Sequence, residues 1–153
     1  MQDLKILGIN EIISTGLEFD GENVFYGGEY GQQVCCKTTD NDESVYTGII
    51  YEKYENGNLQ YYSFYKNGLP DGVTVSYYEN GNIKEYSNMY RGGQHGICKA
   101  WYEDGSIKSC SQSKYSFDLY YVEWDKKGEI IKEVKEPTDF AKRMIDKYDY
   151  LEK

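Results

Sequence analysis

Between Tyr46 and Lys132 apolar and polar residues alternate, and one phrase returns three times and then a fourth time in worn form. It reads YENGNLQYY from Tyr54, YENGNIKEY from Tyr78, WYEDGSIKS from Trp101 and WDKKGEIIK from Trp124. The turn glycines Gly57, Gly81, Gly105 and Gly128 stand 24, 24 and 23 residues apart, and Gly48, Gly72 and Gly96 keep the 24-residue spacing. A repeat of this length is one supersecondary unit that cannot bury its apolar side alone, so the units stack. Asn-Gly between alternating residues signals a β-hairpin, because both central turn residues take positive φ at least cost there. A two-residue loop sets Glu55 opposite Asn58, Tyr54 opposite Leu59, Lys53 opposite Gln60 and Tyr51 opposite Tyr62.

The side-chain period of two then sorts the faces. One face takes Tyr54, Leu59, Tyr78, Ile83, Tyr102 and Ile107, followed by the small or polar Glu52, Ser63, Ser76, Ser87, Ala100 and Ser111. The other takes Ile49, Val73 and Ile97 with Tyr51, Tyr62, Val75, Tyr77, Tyr86 and Trp101. The second face carries more large apolar groups, and in an antiparallel meander these align as cross-strand ladders. Near Gly92 and Gly93 the sequence RGGQHG replaces KNGLPDG, which predicts a bulge or a longer loop. The fourth unit has Asp125 where earlier units have tyrosine, as suits a unit that caps the array.

The flanks differ from the repeat. In residues 1–45, Leu4, Ile6, Ile9, Ile12 and Ile13 suit a short strand or edge element, and the glycines from Gly16 to Gly31 break the rest of the segment into turns. NVFYGGEYGQQVCCKT reads as a degenerate hairpin. Asp40, Asn41, Asp42 and Glu43 read as a solvated loop without the glycine and distal glutamate of a calcium loop. From Pro137 the period changes: Phe140, Ala141, Met144, Ile145, Tyr148 and Leu151 fall at helical spacing, with Thr138 as N-cap and Asp139 in the first turn. The fold is therefore mainly β: an antiparallel hairpin-repeat sheet with a short C-terminal α-helix. It forms a single domain of a non-repeat segment (1–45), a hairpin array (46–133) and a helix (137–151).

The stretches VYTGIIYEKYENGNLQYYSFYKNGLPDG from Val45 and YYENGNIKEYSNMYRGGQHG from Tyr77 resemble a MORN-type repeat, in the bacterial variant found in YwqK-family antitoxins and related immunity proteins. The resemblance covers a little over half the chain. It implies a hairpin-repeat sheet and an immunity protein or antitoxin that binds a toxin domain and blocks its active site or substrate access.

Composition adds to this. Tyrosine supplies 18 of the aromatic residues against 5 Phe and 2 Trp. It suits both a partly wet sheet and a protein-binding surface. The formal charge of −9 lies wholly in residues 1–80, which hold 4 Lys or Arg against 13 Asp or Glu; residues 81–153 hold 13 of each. Such a field repels phosphate backbones and anionic lipid headgroups, setting nucleic acid and membrane surfaces aside, and it attracts a basic partner. The four cysteines, Cys35, Cys36, Cys98 and Cys110, form no Cys-x-x-Cys, and His95 is the lone histidine, in a loop between units. Neither a zinc site nor a Cys–His nucleophile is readily assembled, and no cofactor is implied. Cys98 and Cys110 lie on neighbouring strands but point to opposite faces, so all four thiols are read as reduced. With no signal-peptide pattern and no membrane span, a cytoplasmic location is expected.

No phosphate cradle or activated acid–base pair emerges, and the reading is non-enzymatic. The residues placed at a partner contact are Tyr51, Tyr62, Tyr77, Tyr86 and Trp101, with Glu52, Glu79 and Glu85 at the margins. The competing reading of these aromatics is burial under residues 1–45 or under the helix. Two other functions are weighed, the second only to be set aside. One is a scaffolding module that self-associates as a homodimer through an end of the array. The other, lipid binding, lacks a basic face in the repeats.

Overall fold

The computed structural model describes residues 4–38 and 42–153; of the acidic run, Asp40 and Asn41 lie outside the described residues. In chain order the elements are α1 (Ile9–Thr15), β1 (Leu17–Glu18), β2 (Val24–Gly27), β3 (Gln33–Lys37), β4 (Glu43–Val45), β5 (Gly48–Lys53), β6 (Leu59–Lys66), β7 (Leu69–Tyr77), β8 (Ile83–Tyr90), β9 (Gly93–Trp101), β10 (Ile107–Lys114), β11 (Phe117–Trp124), β12 (Ile130–Val134) and α2 (Asp139–Leu151). β5 to β12 form an antiparallel meander, and β1 adds to β5 in parallel. The expected hairpin sheet and C-terminal helix are both present.

The turn chemistry differs from the two-residue loop. Gly57 N–H donates to the Tyr54 carbonyl at 2.9 Å, and Tyr54 N–H donates to the Asn58 carbonyl at 2.8 Å. Glu55 and Asn56 thus form a type I turn, closed by Gly57 at φ 87. The pattern repeats at Gly81, Gly105 and Gly128. This three-residue loop is absorbed by a bulge beyond the Lys53–Leu59 pair, so that Glu52 opposes Tyr61 and Tyr51 still opposes Tyr62. Lys53 therefore faces Leu59, not Gln60. The bulge also carries Leu59 and Ile83 to the face of Tyr62, opposite to their expected side.

Two-residue left-handed turns do occur, at the other end of the strands. They use Asn67–Gly68, Arg91–Gly92 and Tyr115–Ser116, all at positive φ. No longer loop forms at Gly92–Gly93. The extra residues pass instead into a bulge on β9, opposite Asn88, which matches one on β7 opposite Phe64. Gly72 and Gly96 sit in these bulges at φ 104 and 123, and a Cβ on Gly96 would lie 3.0 Å from the Asn88 Cβ. Gly72 and Gly96 of the second glycine series follow from this geometry, while Gly48, at φ 144, pairs in register with Tyr65.

The sheet buries its two faces differently. On one, Ile49, Tyr51, Leu59, Tyr62, Val75 and Tyr86 pack beneath Leu4, Ile6, Leu7 and Ile12. The stretch expected as a strand is helix α1: its Ile12, fully buried, anchors one short turn against the sheet, which offsets the helix's short length. On the other face, β2, β3 and β4 form a second antiparallel sheet, the expected hairpin plus one strand. Val24 and Val34 pack there on Ile50 and Tyr65. α2 is capped by Thr138, whose Oγ1 accepts from Ala141 N–H at 3.0 Å. The helix docks at the two-residue-turn end: Phe140 meets Phe117, Tyr148 meets Tyr115, and Glu152 reaches Tyr90 and Arg91.

Candidate functional site

The tyrosine of the repeated phrase ties each unit to the next. The Tyr54, Tyr78 and Tyr102 hydroxyls donate to the carbonyls of Tyr77, Trp101 and Trp124 at 2.7, 2.8 and 2.9 Å. The two asparagines add to this. Asn56 and Asn58 both donate to the Glu79 carbonyl, and Asn80 and Asn82 both donate to that of Glu103. In the third unit Asp104 and Ser106 bond only to each other, and the asparagine ladder stops. Phenols every 24 residues suggest a surface for a partner. Their hydroxyls instead satisfy strand carbonyls, a pairing visible only once neighbouring units are side by side.

The eight residues placed at a contact do not form one surface. Tyr51, Tyr62 and Tyr86 are 7, 0 and 5% exposed. Tyr62 accepts the Leu7 N–H at 3.0 Å through its hydroxyl. All three belong to the core, so the competing reading, burial under residues 1–45, holds for them. Tyr77 and Trp101 are half-buried at the margin of the same cluster. Glu79 is exposed at a turn tip, while Glu52 and Glu85 lie on the opposite face, in the row Glu52–Tyr61–Ser76–Glu85–Ala100–Ser109–Glu123.

That row borders a trough. Its floor is the neighbouring row Ser63–Thr74–Ser87–Cys98–Ser111–Tyr121, small side chains over five successive strands before a tyrosine wall. Ser63 and Thr74 are hydrogen-bonded to each other through their hydroxyls. Two adjoining hollows of about 260 and 270 Å³ share Glu85 and Ser87 and extend from Tyr54 and Tyr61 to Tyr121. Each is smaller and more open than a typical small-molecule pocket, so the shape suits a macromolecular segment. Cys98 is buried in the floor, and burial pushes its thiol pKa up, against activation as a nucleophile. All four cysteines are free, and Cys98 and Cys110 pair with Ser111 and Lys99 on opposite faces. Among the described residues no three metal-ligating side chains converge.

The trough is acidic. Glu52, Glu85, Asp118 and Glu123 border it, and none of them is in an ion pair among the described residues. Asp118 accepts the Ser113 hydroxyl at 2.9 Å and Glu123 accepts the Tyr121 hydroxyl at 2.8 Å. The Tyr61 phenol has its pKa raised by burial and then by the charge of Glu52. Two cations also line the hollows, Lys99 and Lys84. Lys84 lies over the Tyr78 ring and Lys132 over the Tyr121 ring, at the rim, while Lys114 pairs with Asp149 at the helix. Along the chain the net negative charge falls in residues 1–80; the face gathers its carboxylates from both halves.

The MORN repeat variant matches at residues 46–67, 70–89 and 94–115, which are the hairpins β5–β6, β7–β8 and β9–β10. The chain carries three consecutive MORN repeats. No curated protein and no solved structure matches it. Such repeats generally mediate protein–protein or membrane association. The hairpin β11–β12 falls outside the match, where Asp125 replaces the tyrosine that staples the MORN units. His95, expected in a loop, sits half-buried in β9 between Tyr90 and Tyr115. Its Nδ1 accepts the Tyr115 N–H at 3.1 Å, which holds a bulky residue at positive φ in the last MORN turn. No helix among the described residues is long and apolar enough to cross a membrane.

Proposed function

We propose that this MORN-repeat protein is a non-enzymatic binding protein of the immunity or antitoxin kind, which occludes a basic toxin domain with the trough face of its sheet in the cytoplasm. The carboxylates of Glu52, Glu85, Asp118 and Glu123, without ion-pair partners among the described residues and set over a floor of small side chains, carry this reading. Small floor residues let a partner's backbone or a long lysine or arginine side chain approach closely. The hydrogen-bonded sheet holds the carboxylates in place beforehand, so little ordering cost is added on binding. A field of one sign speeds encounter with a basic surface and excludes acidic ones. The reading expects a small basic toxin domain to be encoded beside this chain, and growth rescue in cells expressing that domain tests it. Glu85→Lys with Glu123→Lys, both on one face of the sheet, is expected to abolish rescue while the far-UV spectrum is retained. Undiminished rescue by that variant contradicts the reading.

Scaffolding by self-association has less support. β12, at the outer end of the main sheet, carries Lys132 and Glu133 and is followed by Lys135, charges that blunt a strand edge.

A further inference from the structure

On the face opposite the trough, the bulge beyond each hairpin tip places an apolar pair in every unit after the first. The pairs are Tyr77 with Ile83, Trp101 with Ile107 and Trp124 with Ile130, and Leu59 stands at the same position in the first unit. These positions form one row across the sheet, yet their burial changes along it. Leu59 is 7% exposed, Ile107 36% and Ile130 55%. The cause is the cover. Leu4, Ile6, Leu7 and Ile12 lie on the first two units, and Ile6 and Leu7 line a groove with Leu59, Tyr77 and Ile83. α2 docks at the other end of the strands. The row continues past the end of its own cover with unchanged spacing and unchanged chemistry.

We infer that the strip Trp101, Ile107, Trp124 and Ile130 docks a short apolar segment of a partner protein, built like residues 4–12: extended, with leucine or isoleucine, then one helical turn. Continuity with the interface the chain already makes with itself identifies the occupant. The equivalents of Val75 and Tyr86 are Lys99 and Cys110, one repeat further on. The covering segment therefore meets a thiol where Leu7 meets the Tyr62 phenol, and a cation, Lys99, where the covered units have Tyr51 and Val75. A carboxylate beside its apolar residues suits that cation, as Glu11 stands in α1. A second copy is a poorer occupant. Its own segment is engaged in cis through Leu7 and Ile12, and four side chains offer far less than the roughly 800 Å² per partner of a standard interface. The strip and the trough act independently, since the two surfaces lie on opposite faces.

Both tryptophans of the chain stand in this strip, so their emission reports it directly. In the Trp101→Phe variant only Trp124 reports, and a synthetic peptide of residues 4–16, which has no aromatic residue, serves as the probe. The expected result is a saturable blue shift of Trp124 emission. Adding Ile107→Asp and Ile130→Asp should weaken binding at least about tenfold, the effect of 1.4 kcal/mol, with the far-UV spectrum preserved. A peptide with Leu4, Ile6, Leu7 and Ile12 replaced by serine should leave the emission unchanged. No shift with the native peptide, or a shift that survives the two aspartates, overturns the inference. So does sedimentation of the free chain as a dimer that those aspartates dissociate, which would assign the strip to a second copy.

Discussion

At the scale of single residues, the repeated phrase is a set of staples more than a set of contacts. Tyr78 shows the logic: its hydroxyl spans to the next unit and satisfies the Trp101 carbonyl, while Lys84 lies over its ring. Tyr78→Phe keeps the ring and leaves that carbonyl without its donor, and is expected to cost about 1 kcal/mol in urea unfolding. Tyr150→Phe, on a side chain 76% exposed, should cost nothing measurable. Equal midpoints for the two variants would mean that the phenol does not staple the units. The two glycine series separate in the same way. Gly57 has open space around it at φ 87 and should accept asparagine with little loss, whereas Gly96→Ala forces a Cβ against Asn88 at φ 123. The second change should lower stability by about 1–3 kcal/mol. A result in the reverse order would place the glycine requirement at the tip.

Among the elements, those with a period and a signal of their own are legible in the sequence. The eight strands from β5 to β12 follow from alternation and the recurring Asn-Gly, and α2 follows from helical spacing behind Thr138. Which way Leu59 and Ile83 point is not legible. Asn-Gly fits a two-residue turn and a type I turn closed by glycine equally well, and the choice between them decides whether a bulge forms beyond the tip. Helix α1 is not legible either, because its seven residues lack a side-chain cap and depend on burying Ile12. The docking of α2 depends on pH in a stated direction. Lys114, then Tyr115, holds the Asp149 carboxyl below its ordinary value of 3.8. A depressed value means that its contribution is present above that pH and is lost as the pH falls through the lower, folded value. Detachment of α2 on acidification, monitored by the Tyr115 and Tyr148 resonances, should therefore come at higher pH in Asp149→Asn than in the parent chain. Identical acid profiles would mean that Asp149 does not secure the helix.

Across the whole molecule, the buried tyrosines, among them Tyr51, Tyr62 and Tyr77 that the sequence pattern assigns to a partner, are a load on alkaline stability. Burial lifts the Tyr65 and Tyr77 phenols to about 12 from an ordinary 10, and Tyr51 and Tyr62 shift in the same direction. A raised phenol favours the neutral form in the folded chain. Its contribution is complete below pH 10 and is lost as the pH rises through 12. Tyrosinate absorbance should thus rise in two stages, exposed phenols first and buried ones together with loss of the strand signal. A single stage near pH 10 with the sheet intact would mean that these rings are open to water. With the phenols taken up by the core and the staples, the surface proposed for a basic partner is the carboxylate-lined trough, which no single stretch of sequence displays because its four acids come from β5, β8 and β11.

Binding at that trough is read most plainly by an amide chemical-shift titration of the full chain with pentalysine at low ionic strength, repeated on the Glu85→Lys, Glu123→Lys variant. Shifts are expected to concentrate at Ser76, Glu85, Ser87, Cys98, Ser109 and Ser111, to be absent from the variant and to be suppressed by salt. Shifts centred instead on the turn-tip acids Glu55, Glu79 and Glu103, or unchanged in the variant, would mean that the trough does not bind a basic partner.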